Sequence, residues 1–170
     1  MLIRRGLMAG DGVKPATWKT YIDTDVTDNG YKACKIPIVN EGYYYIYLQL
    51  SSPCTFAGLF DLFFGNDINI YRCVAIDSVQ GEIGLWFISE YAIPRKALSS
   101  SSGDYPYTVI CTLHFSEGLV YGGVSDAYGN NLSGLSVFAS GFETPSEFGR
   151  YQVVGNSYVN KLMIRAFDNA

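Results

Sequence analysis

Residues 42–52 read GYYYIYLQLSS. On an extended strand successive side chains point to opposite faces, so the stretch divides in two. Tyr44, Ile46, Leu48 and Leu50 form one face and read as core. Tyr43, Tyr45, Tyr47 and Gln49 form the other, a ladder of rings ending in an amide. Alternation with a period of two predicts a half-buried β-strand and excludes an amphipathic helix. In YPYTVICTLHFS (105–116), Tyr107, Val109, Cys111, Leu113 and Phe115 likewise oppose Thr108, Ile110, Thr112, His114 and Ser116. In INIYRCVAIDSV (68–79), Ile68, Ile70, Val74 and Ile76 share a face that Arg72 interrupts.

Working outward, the chain from Tyr31 is a series of such runs, broken by NEG, GND, QGE, SSSSGD, SEG, DAYGNN and VGNS. Gly, Asn and Asp at those breaks are turn formers. Strands at this spacing with no helical periodicity between them predict an all-β antiparallel sandwich, jelly-roll-like, over residues 31–170. PSEFGR (145–150) has the composition of a single helical turn. Residues 1–30 read as an N-terminal docking extension, with Leu2, Ile3 and Leu7 as an apolar anchor flanked by Arg4 and Arg5. A helix that short is marginal alone in water and needs a surface to dock on. DTDVTDNG (23–30) has the acidic look of a calcium loop, but with Asp25 first the bidentate position falls on Ile36, so a polar turn is the better reading.

Composition narrows the function. The 170-residue chain is 48% hydrophobic, 15% aromatic and 16% charged, with a net charge of −4. Low charge and abundant β-branched and aromatic residues fit a sheet-rich fold and exclude disorder. Its basic residues form no stripe, which argues against nucleic acid as a partner. No run is long enough to span a membrane as a helix, and the N-terminus lacks the apolar segment of a signal peptide. Cys34, Cys54, Cys73 and Cys111 form no CxxC pair and His114 is the single histidine, so no metal site and no cofactor are expected. Three of the cysteines sit in apolar strand runs, where a reduced thiol acts as a small hydrophobe.

No catalytic motif is present, and the chain is expected not to be an enzyme. His114 is the only base available to a nucleophile, and it lies among threonines on the polar side of a strand. GVSDA (123–127) lacks the last glycine of a nucleophile elbow and has no helix after it. Glu41, Glu82, Glu90, Glu117, Glu143 and Glu147 are scattered near turns, and glycosidase carboxylates need no local motif, so a glycan-degrading role stays open as a minor alternative.

Three uses are open for the Tyr43/Tyr45/Tyr47 ladder: stacking on sugars, packing against another subunit, or cover by the N-terminal segment of the same chain. Loop aromatics Tyr105, Tyr121 and Tyr128 are further candidates for ligand or partner binding. FAGLFDLFFG (56–65) is apolar on both faces, with Phe56, Phe60, Leu62 and Phe64 opposite Leu59 and Phe63. Such a strand must be covered on both sides, which points to a homo-oligomer or an assembly component.

IRRGLMAG (3–10) resembles the start of small virion proteins of tailed bacteriophages. KIPIVNEGYYYIYLQLSS (35–52) resembles β-sandwich modules of phage tail and fibre proteins, with Ile36, Pro37 and Ile38 before a turn at Gly42 and the tyrosine strand. The resemblance carries over no functional residue. It implies a structural virion component (a fibre, collar or decoration subunit) made in the bacterial host cytoplasm and working through interfaces with other virion proteins. The alternative is a carbohydrate-binding or host-adhesion module that uses exposed tyrosines on a host-surface glycan.

Overall fold

A computed structural model describes residues 17–39, 41–50, 58–65, 71–79, 82–87, 90–93, 106–116, 119–128, 130, 137–140, 146–155 and 159–168. The anchor residues Leu2, Ile3, Arg4, Arg5 and Leu7, together with Cys54 and Tyr105, lie outside these. The described residues form strands and no helix: β1 (Thr17–Asp25), β2 (Gly30–Pro37), β3 (Tyr43–Leu50), β4 (Gly58–Phe64), β5 (Tyr71–Val79), β6 (Glu82–Phe87), β7 (Glu90–Ile93), β8 (Tyr107–Ser116), β9 (Leu119–Asp126), β10 (Val137–Ser140), β11 (Glu147–Gly155) and β12 (Val159–Asp168). They make two six-stranded antiparallel sheets. Sheet A runs β1-β12-β3-β8-β9-β10 and sheet B runs β2-β11-β4-β5-β6-β7. The all-β sandwich expected from alternation is what the chain builds.

The core lies between the sheets. Tyr44, Ile46, Leu48 and Leu50 of β3 are at most 2% exposed, and Val109, Cys111, Leu113 and Phe115 join them from β8. Sheet B contributes Phe60, Leu62 and Phe64 of β4, with Phe148 and Tyr151 of β11. Tyr44, Phe64, Phe115 and Phe148 form an aromatic knot, with edge-on contacts of Tyr44 to Phe148 at 5.3 Å and to Phe115 at 5.7 Å between centroids. Rings in such offset geometries gain about 0.5–1.5 kcal/mol per pair beyond area burial. The Tyr44 hydroxyl is satisfied locally: it accepts from the Val39 amide at 2.9 Å and donates to the Pro37 carbonyl at 3.2 Å.

That local bond fixes the entry to the tyrosine strand. Glu41 stands in the left-handed region at φ 60°, and the Gly42 amide donates to Val39 O at 3.1 Å. A Cβ on Gly42 would lie 2.7 Å from the Tyr44 ring and 2.8 Å from Val39 O. Only glycine fits there.

Three details depart from the alternation reading. Residues 17–25, within the stretch read as an N-terminal extension, form edge strand β1 of sheet A, paired to β12 from Thr17↔Asp168 to Asp25↔Lys161. PSEFGR forms no helical turn, since Glu147–Gly155 is a central strand between β2 and β4. Arg72 does not interrupt the core face of β5. The β4–β5 register slips between Leu62↔Val74 and Phe63↔Arg72, and this bulge puts buried Cys73 beside Val74 in the core while Arg72 goes to the outside. A bulge inserts one residue and so inverts parity beyond it.

Strand β4 is indeed covered on both sides. Phe60, Leu62 and Phe64 face the core, while on the outer face Asp61 is 1% and Phe63 4% exposed. The cover is already present in one copy of the chain, so it demands no second subunit. Cys34, Cys73 and Cys111 are free thiols. Burial pushes Cys34 up to about 12 and raises Cys73 and Cys111 well above the thiol range. Among the described residues no helix is long and apolar enough to cross a membrane.

Candidate functional site

The outer face of sheet A is where the odd residues of β3 emerge. Tyr43 is 44% exposed, and Tyr45, Tyr47 and Gln49 are half-buried. Along the strand these four span about 20 Å at 3.3 Å per residue. Their neighbours follow from the register. On β8, His114, Thr112, Ile110 and Thr108 stand opposite Tyr43, Tyr45, Tyr47 and Gln49. On β12, Arg165, Met163 and Lys161 stand opposite Tyr45, Tyr47 and Gln49.

Aromatic residues converge on this ladder from three other strands. Trp18 of β1 reaches across β12 to Tyr45, with ring centroids 4.4 Å apart, and also meets Phe167 at 5.0 Å. Tyr45 and Tyr47 sit edge to face at 6.2 Å. At the far end His114 lies flat on Tyr43, at 4.0 Å with 2° between the planes. Glu41 steadies that end: its carboxylate accepts from Ser116 Oγ at 2.8 Å and lies 3.5 Å from His114 Nε2. The N-terminal strand therefore extends the ladder through Trp18 and leaves Tyr43 open.

Two depressions follow the ladder. One of about 400 Å³ is lined by Tyr43, Tyr45, Thr112, Leu113, His114, Gly122 and Gly123. Its floor is low because Gly123, opposite Thr112, has no side chain, and the Thr112 hydroxyl donates to Gly123 O at 3.3 Å. The second, about 300 Å³, is lined by Asp23, Tyr47, Gln49, Thr108, Lys161 and Met163, with Lys161 Nζ 3.6 Å from Asp23. Ring faces on the floor with hydroxyl, amide and charged groups at the margins make a surface for a flat, amphipathic ligand. Among the described residues no three His, Cys, Asp or Glu side chains gather as a metal would need.

The structure thus brings Tyr43, Tyr45 and Tyr47 together on one accessible face. Tyr121 is in β9, in register with His114. Tyr128 is 91% exposed, on a turn held by Asp126, which accepts from the Tyr128 and Asn130 amides at 2.9 Å each; it is not part of the ladder. Sequence reasoning missed Trp18, Phe167 and Arg165 and weighed His114 only as a base for a nucleophile, not as part of the ring surface. Phe167 and Arg165 are alternate residues of YVNKLMIRAF; the β3–β12 pairing that sets Arg165 beside Tyr45 and the β1–β12 pairing that sets Phe167 beside Trp18 are not local in sequence.

Comparison with known proteins supplies fold and no family. No family model matches the chain and no curated protein matches it. Among solved structures it is similar to the CBM2 module of the evolved Dit of Lactobacillus casei BL23 phage J-1, with a TM-score of 0.51 at 6% identity over 82% of this chain and 70% of that one. Sheep galectin-11 (TM-score 0.42, 8% identity, 82% of this chain and 98% of that one) and the exoplasmic/lumenal domain of VIP36 (0.46, 11%, 95% and 86%) are more distant likenesses and carry no argument. At such identity the phage module shows a shared β-sandwich fold, and nothing about what this chain binds.

Proposed function

We propose that the protein is a carbohydrate-binding β-sandwich whose outer sheet A face stacks on an extended oligosaccharide. The observation that carries this is a row of two ring clusters on one face, Trp18 with Tyr45 and Tyr47, and Tyr43 with His114, which share one depression bordered by Thr112, with a second bordered by Gln49, Thr108, Asp23 and Lys161. A pyranose has an apolar C–H face and a hydroxyl rim. The site offers the matching pair, rings for the face and polar groups for the rim. Its length suits several sugars rather than one. Tyrosine and tryptophan supply such contact at low entropic cost, because each has few rotatable bonds. Binding without turnover is part of the same proposal.

The setting we infer is a phage virion, with the module serving host attachment. This rests on the resemblance of residues 3–10 and 35–52 to virion proteins and draws support from the fold shared with the phage module. Contacts to other virion proteins and self-association belong to this second tier. A solution mass by light scattering for the full chain and for one lacking residues 1–12 tests them: a defined oligomer that dissociates on truncation is expected, and a monomer in both forms counts against self-association.

The glycan reading is tested by titrating a panel of oligosaccharides against the full chain and against Tyr45→Ala, Trp18→Ala and Gly123→Val. Gly123→Val fills the floor of the larger depression; the first added carbon meets Thr112 Oγ1 at 3.7 Å, an ordinary contact. Each ring face covered by ligand buries roughly 50 Å², about 1.2 kcal/mol at 25 cal/mol per Å². Losing one ring should therefore weaken binding about tenfold. A glycan that binds wild type and all three variants equally would place the site elsewhere.

A further inference from the structure

The ring face of sheet A contains a cation that no described residue balances. Arg165 projects from the middle of β12, in register with Tyr45 on one side and Thr20 on the other. Its guanidinium carbon lies 5.8 Å from the Trp18 ring centre, and Trp18 is itself stacked on Tyr45. The other basic groups of this face have carboxylates beside them: Lys161 has Asp23 and His114 has Glu41. Among the described residues no carboxylate lies within ion-pair distance of Arg165. Its Nε is sealed from water without a hydrogen-bond partner, while the residue as a whole stays partly open.

A tryptophan face attracts a cation but does not neutralise it. A guanidinium beside a ring in this way keeps its terminal Nη donors for a partner, in the fork that matches a carboxylate or phosphate. A charge held this way in the centre of a sugar-stacking surface selects for charge in the ligand. The chain's net charge of −4 supplies no long-range attraction for a polyanion, so selectivity rests on this local contact.

We infer that the glycan is acidic: a carboxylate or phosphate on one sugar is received by Arg165 while neighbouring sugar rings stack on Trp18 and Tyr45. The inference rests on the carbohydrate-binding reading above and adds the substrate class to it.

Calorimetric titration of the full chain with three probes tests it: a hexuronate oligosaccharide, the same oligosaccharide with its carboxyls reduced to alcohols, and a phosphodiester-linked sugar oligomer. At least one anionic probe should bind about ten- to a hundredfold more tightly than the neutral one, the range for a charge-assisted hydrogen bond. Whichever anion is preferred identifies the substituent. Arg165→Gln should erase the preference for the anionic probe over the neutral one, and Arg165→Lys, which keeps charge but not the fork, should retain part of it. Arg150→Gln is the control; Arg150 lies over Tyr31 on sheet B, at 4.5 Å, and its loss should change nothing. Equal affinity for acidic and neutral probes, or a preference that survives Arg165→Gln in a variant with wild-type melting, overturns the inference. If other neutral glycans bind through Trp18 and Tyr45 while all three probes fail, the acidic class is wrong and the site stands. If no glycan binds at all, the reading beneath it falls as well.

Discussion

Asp61 gives a measurable handle on the opposite sheet. It sits on the outer face of β4, 1% exposed, with Oδ1 3.0 Å from Arg72 Nε. The contact is close but badly aligned, and neither Asp61 oxygen accepts a hydrogen bond. Burial dominates its titration, Arg72 opposes it and Asp77 adds to it, and the net effect moves the carboxyl from 3.8 up to about 6. Because the folded value lies above the unfolded one, the native state holds the proton more tightly. Asp61 therefore contributes stability below pH 3.8, and that contribution is lost as pH rises through about 6. The proton-linked free energy is about 3 kcal/mol. Asp61→Asn resembles the protonated form in shape, and half-exposed Arg72 returns to water at small cost. Urea unfolding of wild type and variant from pH 4 to pH 8 should show the two close at pH 4, with the variant gaining about 3 kcal/mol by pH 8. A difference that is flat across that window, or that favours wild type as pH rises, would refute the argument and make the Asp61–Arg72 pair a net stabiliser.

Gly42→Ala should cost about 1–3 kcal/mol, the usual penalty for forcing an extra carbon into a packed site, because its Cβ has only the Tyr44 ring and Val39 O to meet; a thermal melt equal to wild type would contradict the turn geometry. Phe148→Ala removes one ring of the aromatic knot and should lower stability by about 3–5 kcal/mol, measured by urea denaturation, without touching the sheet A face. Cys73 and Cys111, buried with raised thiol pKa values, should resist a thiol reagent in the native protein and react only on unfolding, as mass spectrometry of labelled peptides would show.

The β-sandwich was legible because burial imposes its period directly on the sequence. The strictly alternating strands β3 and β8 could be read to the residue. Failures came where parity is broken or long-range. TWKTYIDTD hides β1 because its register slips between Thr20 and Ile22, so Tyr21 and Ile22 both pack on the core and no clean alternation survives. Arg72 misled for the same reason, a bulge at Cys73. Asp61 is embedded in an apolar run, and nothing adjacent in sequence announces the cation it faces. Half of the ring surface was visible as three spaced tyrosines. The other half depends on strand pairings between residues far apart in sequence, Trp18 with Phe167 and Tyr43 with His114, which local patterning does not encode.

Trp18 gives the ring surface a dynamic character that its neighbours lack. It belongs to β1, an edge strand of sheet A, which among the described strands pairs with β12 alone. Edge strands open locally at a lower free energy than central ones. When β1 frays, Trp18 leaves Tyr45 and the surface is dismantled, although the core remains folded. Amide exchange in β1 should accordingly be faster than in β3 or β8, and a ligand clamped by Trp18 should slow it selectively. Occupancy of the sheet A face would then register as protection along a strand that contributes a single ring to it.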